Sequence, residues 1–167
     1  MPWLIAAAAA LLWGLWTLAP WFRRGAATDH RERHGSSVVS IQEITLGNAP
    51  PNLAERYFRR LPRFGGWLLW QTRWKESGPS VVFFGIPLIR FGALRRDADR
   101  ETLTVARAAF SRHGGTLSFV RAGGRVRIEL RGFRPRLFMP LYWHLQLPVH
   151  AAMSRAFLCW LSRRPAS

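Results

Sequence analysis

The stretch PLYWHLQLPVHAAM, residues 140–153, decides how the rest of the chain is read. It holds two histidines six residues apart, a central proline and many large apolar groups. Three structures compete for it: a metal site, a membrane span, or a helix packed on a sheet. The metal site fails on geometry. Six residues along a helix is about 600° of rotation, so His144 and His150 leave on separated faces. The nearest upstream acid is Glu129, too far along the chain to complete a local ligand set. The span fails on solvation. From Leu141 to Leu161 it takes His144, Gln146, His150 and Arg155 into hydrocarbon, at about 3 kcal/mol for a central arginine alone. The packing helix survives: Tyr142, Leu145, Val149, Ala152 or Met153, Ala156 and Trp160 recur at helical spacing. Pro148 has no amide hydrogen, so a kink or break is expected near residues 144–148.

A long apolar-faced helix needs a sheet to cover. Just upstream, TLSFVR and RVRIELR form the clearest hairpin of the sequence. Val126, Ile128 and Leu130 alternate with Arg125, Arg127, Glu129 and Arg131, and AGG supplies a positive-φ turn. Thr102–Phe110 reads as another strand. Ser80–Leu94, broken by Gly85, Pro87 and Gly92, reads as two short strands or a bent one. Gly66–Trp74 is apolar on both faces and fits a strand or a short helix. VVSIQEITL, from Val38, reads as a first strand with Val39, Ile41 and Glu43 on one face. GNAPPN breaks it, with Asn52 placed to cap a short amphipathic helix, LAERYFRRL, that buries Leu53, Tyr57 and Leu61. Pro62 and Gly65-Gly66 are expected to close that helix.

The order is strand, helix, several antiparallel strands, long helix. ITLGNAPPNLAERYFRRLPRF resembles the opening of the START-like, polyketide-cyclase/dehydrase superfamily, which has the helix-grip fold. GFRPRLFMPLYWHLQLPVHAAMSRAF resembles the ends of some bacterial members. The likeness covers about residues 38–163. It implies an apolar cavity for a hydrophobic or lipid-like ligand, and it carries no catalytic residues.

The other end of the chain is different in kind. Residues 1–22, MPWLIAAAAALLWGLWTLAPWF, contain no charged side chain. About 20 apolar residues cross a bilayer core of about 30 Å. Trp3 and Trp21 lie where interfacial aromatics belong, and Trp-Phe-Arg-Arg is a poor signal-cleavage site. This predicts a transmembrane anchor over 1–22. A basic linker over 23–37 follows, then a START-like α+β domain over 38–164. The full expectation is α+β: an N-terminal transmembrane helix, then a curved antiparallel sheet gripping a long C-terminal helix. RRGAATDHRERH holds four arginines against two acids, which places the main domain on the cytoplasmic side of the cell membrane in a single-pass arrangement.

The chain has 167 residues and a net charge of +16, nearly all from arginine. That charge favours anionic partners. Membrane lipids are the expected ones, with Arg23, Arg24, Arg163 and Arg164 at the surface. Nucleic acid is disfavoured, because the arginine pairs are scattered along the chain. A membrane-protein partner is the third possibility. Cys159 is the only cysteine, so no intrachain disulfide forms, and it reads as core packing. No cofactor and no metal site is expected.

Trp67, Trp70, Phe83, Phe119, Trp143 and Met153 are the candidates to line an apolar cavity. Glu43, His144 and His150 are the candidate polar groups within it. The leading function is a membrane-anchored binding protein for a hydrophobic or lipid-like ligand. One alternative is a small enzyme on an apolar substrate, with Glu43, His144 and His150 as acid–base groups. The other is a non-catalytic assembly subunit of a membrane complex.

Overall fold

The computed structural model describes residues 27–64, 70–83, 85–109, 111–136 and 142–163. Its strands are β1 (Thr28–His34), β2 (Ser37–Thr45), β3 (Trp70–Lys75), β4 (Gly78–Phe83), β5 (Ile86–Phe91), β6 (Arg95–Arg96), β7 (Arg100–Ala108), β8 (Ser111–His113), β9 (Thr116–Ala122) and β10 (Arg125–Pro135). Helix α1 spans Leu53–Phe64 and helix α2 spans Leu147–Ser162, the latter entered through a π-helical turn at Tyr142–Gln146. Every strand pair is antiparallel. The sheet runs β1-β2-β10-β9-β7-β5-β4-β3, with β6 on β7 and β8 on β10.

The β9–β10 hairpin forms because its two turn glycines both take positive φ, 56° at Gly123 and 72° at Gly124. Its alternation puts Val126 and Ile128 in the core at 0% exposure. The opposite face carries Arg125, Arg127 and Arg131. Gly78 is fixed by space: it has φ +120°, and an added Cβ would meet Gly92 O at 2.1 Å.

Both helices pack on the buried face of the sheet, α2 against β2 and β1 and α1 against β3 and β7, and the helices touch each other. The main core gathers Leu53, Tyr57, Phe58, Leu103, Phe119, Met153 and Phe157. Edge-on ring contacts join its layers: Tyr57 lies 5.2 Å from Phe157, and Phe58 lies 5.2 Å from Phe91, centroid to centroid. Arg60 of α1 stacks over Trp160 of α2 at 4.9 Å.

Pro148 does not kink α2. It sits in the first turn, where a missing amide hydrogen has no partner to lose. The break expected near residues 144–148 is the junction of the π-turn with α2. Helix α1 runs on through Pro62 to Phe64, and Asn52 does not cap it. Asn52 lies at φ 58°, and the first helical amides go instead to the buried carboxylate of Glu101. Leu53 N and Ala54 N donate to its two oxygens at 3.1 and 2.8 Å.

Two expectations need correction. Residues 28–34, read as part of a basic linker over 23–37, form an edge strand paired with β2 from Thr28↔Glu43 to His34↔Ser37. TDHRERH has no apolar periodicity, so its pairing is invisible until β2 offers an open edge. The localisation at the cell membrane is the second. Among the described residues no helix is long and apolar enough to cross a membrane. The anchor expected over residues 1–22 lies outside the described residues, as do Arg23 and Arg24.

Candidate functional site

The buried face of β2 alternates Val38, Ser40, Gln42 and Ile44. Two of these four are polar, and both Ser40 and Gln42 are 0% exposed. Beside them on β1 stand Asp29, opposite Gln42, and Arg31, opposite Ser40. Arg31 donates to Asp29 through Nη2 at 2.5 Å and Nε at 3.3 Å. Gln42 Nε2 donates to Asp29 Oδ1 at 2.7 Å and to Ser40 Oγ at 2.8 Å. Asp29 is thus the hub of the seam. Burial alone would raise its carboxyl. Hydrogen bonds from Arg31 and Gln42, with the charges of Arg31 and Arg155, outweigh that and hold it below the usual carboxylate range.

Helix α2 closes over this polar strip with a polar stripe of its own. Gln146, His150 and Ser154 stand at i, i+4 and i+8, which places them on one helix face. Gln146 Oε1 and His150 Nε2 are buried without a hydrogen-bond partner among the described residues, and so are Gln42 Oε1 and Arg155 Nε. Ser154 lies beside the Tyr57 phenol. Burial pushes that phenol up to about 12 against a small lowering by Ser154. The His150 residue is only half-buried, but its Nε2 is sealed from solvent. Burial drives the imidazole down to about 4; the Asp29 charge opposes this and the Arg31 charge adds to it. His150 is therefore neutral at pH 7, with one ring nitrogen accepting and one donating.

Buried polar atoms are nearly always paired, and one left unpaired costs about 1–3 kcal/mol. Three of the unpaired atoms, on Gln42, His150 and Arg155, surround one carboxylate, and together they suit a polar group that both donates and accepts. The main core adjoins the stripe: Met153 and Phe157 on α2 pack with Tyr57 and Phe119.

The sequence-derived candidates distribute unevenly over this geometry. Phe119 and Met153 are buried in the main core. Trp143, in the π-turn, packs on a second cluster formed by Val38, Leu130, Phe133, Tyr142 and Leu147. Phe83 is half-buried at the end of β4. Trp70 begins β3, and Trp67 lies outside the described residues. His144 is exposed, as is Arg163; Arg164 is outside the described residues. Glu43 points away from α2, where its carboxylate binds Arg127 Nη2 at 2.6 Å and Arg125 Nη1 at 3.2 Å. The three acid–base candidates are therefore not brought together: Glu43 is across the sheet, His144 is exposed, and His150 Nε2 is buried. Asp29, Arg31, Ser40, Gln42, Gln146 and Arg155 were not singled out from sequence. The available signal was Ser40 and Gln42 alternating with apolar residues inside a strand. Among the described residues no three His, Cys, Asp or Glu side chains gather to hold a metal.

No protein-family model matches the chain, and no curated protein does. Solved structures do. A conserved protein of unknown function from Enterococcus faecalis aligns over 92% of this chain and 85% of its own, with TM-score 0.52 and 12% identity. The lipid transfer and protein localization domain of human StarD13 aligns over 93% and 98%, with TM-score 0.47 and 10% identity. CalU16 from Micromonospora echinospora aligns over 86% and 80%, with TM-score 0.44 and 12% identity. At such identities the likeness concerns the fold alone. That fold is α+β, a large antiparallel sheet with a C-terminal helix across one face.

Proposed function

We propose that this chain is a START-like, helix-grip binding protein for a hydrophobic or lipid-like small molecule with one hydrogen-bonding end. The observation that supports it is the seam between α2 and β2. There Gln42 Oε1, His150 Nε2 and Arg155 Nε are buried and unpartnered around Asp29, and Gln146 Oε1, one turn before His150, is buried and unpartnered too. A hydroxyl or carboxyl end of the ligand meets these groups, and its apolar body lies against the aromatic core beside them. Binding then supplies hydrogen bonds whose desolvation cost the empty fold already carries.

The variant Gln42→Leu with His150→Leu tests this. Both replacements are apolar and of similar volume, but Gln42→Leu also takes the amide donor from Asp29 and Ser40, so the variant is expected to melt lower, and its fold is checked by circular dichroism before binding is compared. Binding of a dansyl-labelled fatty acid, followed by fluorescence, is expected to be saturable for wild type and weaker in the variant by about tenfold or more. Wild type without saturable binding sinks the proposal. Equal binding by both proteins moves the ligand away from the seam and sinks its assignment there.

A further inference from the structure

The outer face of the sheet, opposite α2, is rich in arginine, and around β2 and β10 that charge is met by acids. Glu43 takes Arg125 and Arg127. Glu129, 2% exposed, takes Arg131 at 3.0 Å, Arg127 at 3.3 Å and Arg100 at 3.6 Å. The β5–β7 part of the face is different. Arg90 of β5 and Arg107 of β7 are direct cross-strand partners, and their flanking pairs, Ile89↔Ala108 and Phe91↔Val105, pack toward the core. Both guanidinium groups therefore leave on the outer face, side by side and exposed. Like charges directly opposite in an antiparallel pair destabilise it. Neither arginine has an ion pair or a side-chain hydrogen bond among the described residues.

A bulge falls between Arg90 and Phe91, with Ala106 as the extra residue of β7. Bulges re-aim the side chains next to them. Here the result is a groove of about 210 Å³ lined by Pro87, Leu88, Arg90, Arg107 and Ala109. Its lining has two positive charges, no negative one, and an apolar remainder. Two adjacent guanidiniums match a dianion best, since each presents a planar fork of N–H donors to oxyanion oxygens. A phosphate monoester carries about −1.5 to −2 charges near neutral pH. The three apolar side chains suit a short carbon skeleton beside it, and the volume admits little more.

We infer that Arg90 and Arg107 form a binding site for the phosphate group of a small phosphorylated organic molecule. The site lies on the opposite face of the sheet from α2 and does not depend on the proposed ligand there. The test is titration of the full chain at low ionic strength with inorganic phosphate and with glycerol phosphate, read by calorimetry and by melting temperature. Both probes are expected to saturate, with glycerol phosphate the tighter, and both raise the melting temperature by mass action. Arg90→Gln and Arg107→Gln each weaken binding by about tenfold or more and abolish the thermal shift. Without phosphate, Arg107→Gln melts no lower than wild type, because it removes a like-charge contact. Unsaturable heats, or glutamine variants that bind as wild type does, overturn the site. Glycerol phosphate binding no tighter than inorganic phosphate overturns the role of the apolar lining.

Discussion

Glu101→Ala is expected to lower the stability of the fold by about 3–4 kcal/mol, since hydrogen bonds to a charged acceptor contribute about 1.5–3 kcal/mol each. The carboxylate is 3% exposed and takes both Leu53 N and Ala54 N. It does so across 48 residues of sequence, so it is a tertiary cap, not a local one. Leu53 and Ala54 are themselves 0% exposed. Water therefore does not replace the lost acceptor, and both amides are left unpaired in the core. The N-terminal end of the helix dipole loses its counter-charge as well. Urea denaturation is the measurement: the midpoint moves down at unchanged m-value. Glu101→Gln keeps one acceptor oxygen in place and is expected to cost about half as much. A loss under about 1 kcal/mol for the alanine variant, the low end for a local cap, shows that α1 is held by packing alone. The consequence reaches the seam, because α1 carries Tyr57, which stands between the Phe157 ring and Ser154.

That cap also shows where the sequence is legible and where it is not. The β9–β10 hairpin, the paired strands of Ser80–Leu94 and the C-terminal helix are readable because period and turn chemistry agree at each of them. Glu101 looks like a member of the charged turn RRDADRE, since its partner lies in α1 and nothing local signals that. Asp29 and Arg31 hide in the same way inside TDHRERH, an edge strand built almost wholly of polar residues. The β2 strand shows the physical reason most directly. Val39, Ile41 and Glu43 appear to share a meaningful face, yet the buried face is Val38, Ser40, Gln42 and Ile44. Burying Ser40 and Gln42 contradicts the usual polar-outside pattern. A strand with two polar side chains turned inward is read wrongly by alternation, because their partners are each other and Asp29 on the neighbouring strand, not water.

His150 gives the second large effect, and it depends on pH. Its folded-state pKa is about 4, below the value of about 6.5 expected in the unfolded chain. The unfolded chain therefore binds the proton first. The His150 contribution is fully present above pH 6.5 and is lost as pH falls from about 6.5 toward about 4. The limiting slope is about 1.4 kcal/mol per pH unit, and the total loss is about 3 kcal/mol. Asp29 acts in the same direction lower down, since its depressed carboxyl is protonated more readily in the unfolded chain. His150→Gln keeps a polar group of similar reach and removes the titration. Melting temperatures measured from pH 7 to pH 4 are expected to fall steeply for wild type and to stay nearly level for the variant down to about pH 4.5. Parallel curves sink the assignment. The same titration bears on the ligand. A hydroxyl end that donates to Nε2 needs neutral imidazole, so its binding weakens as pH falls through the window. A carboxylate end instead favours the protonated ring beside Arg155 and binds tighter there. The sign of the pH dependence thus separates the two polar ends that the seam can hold.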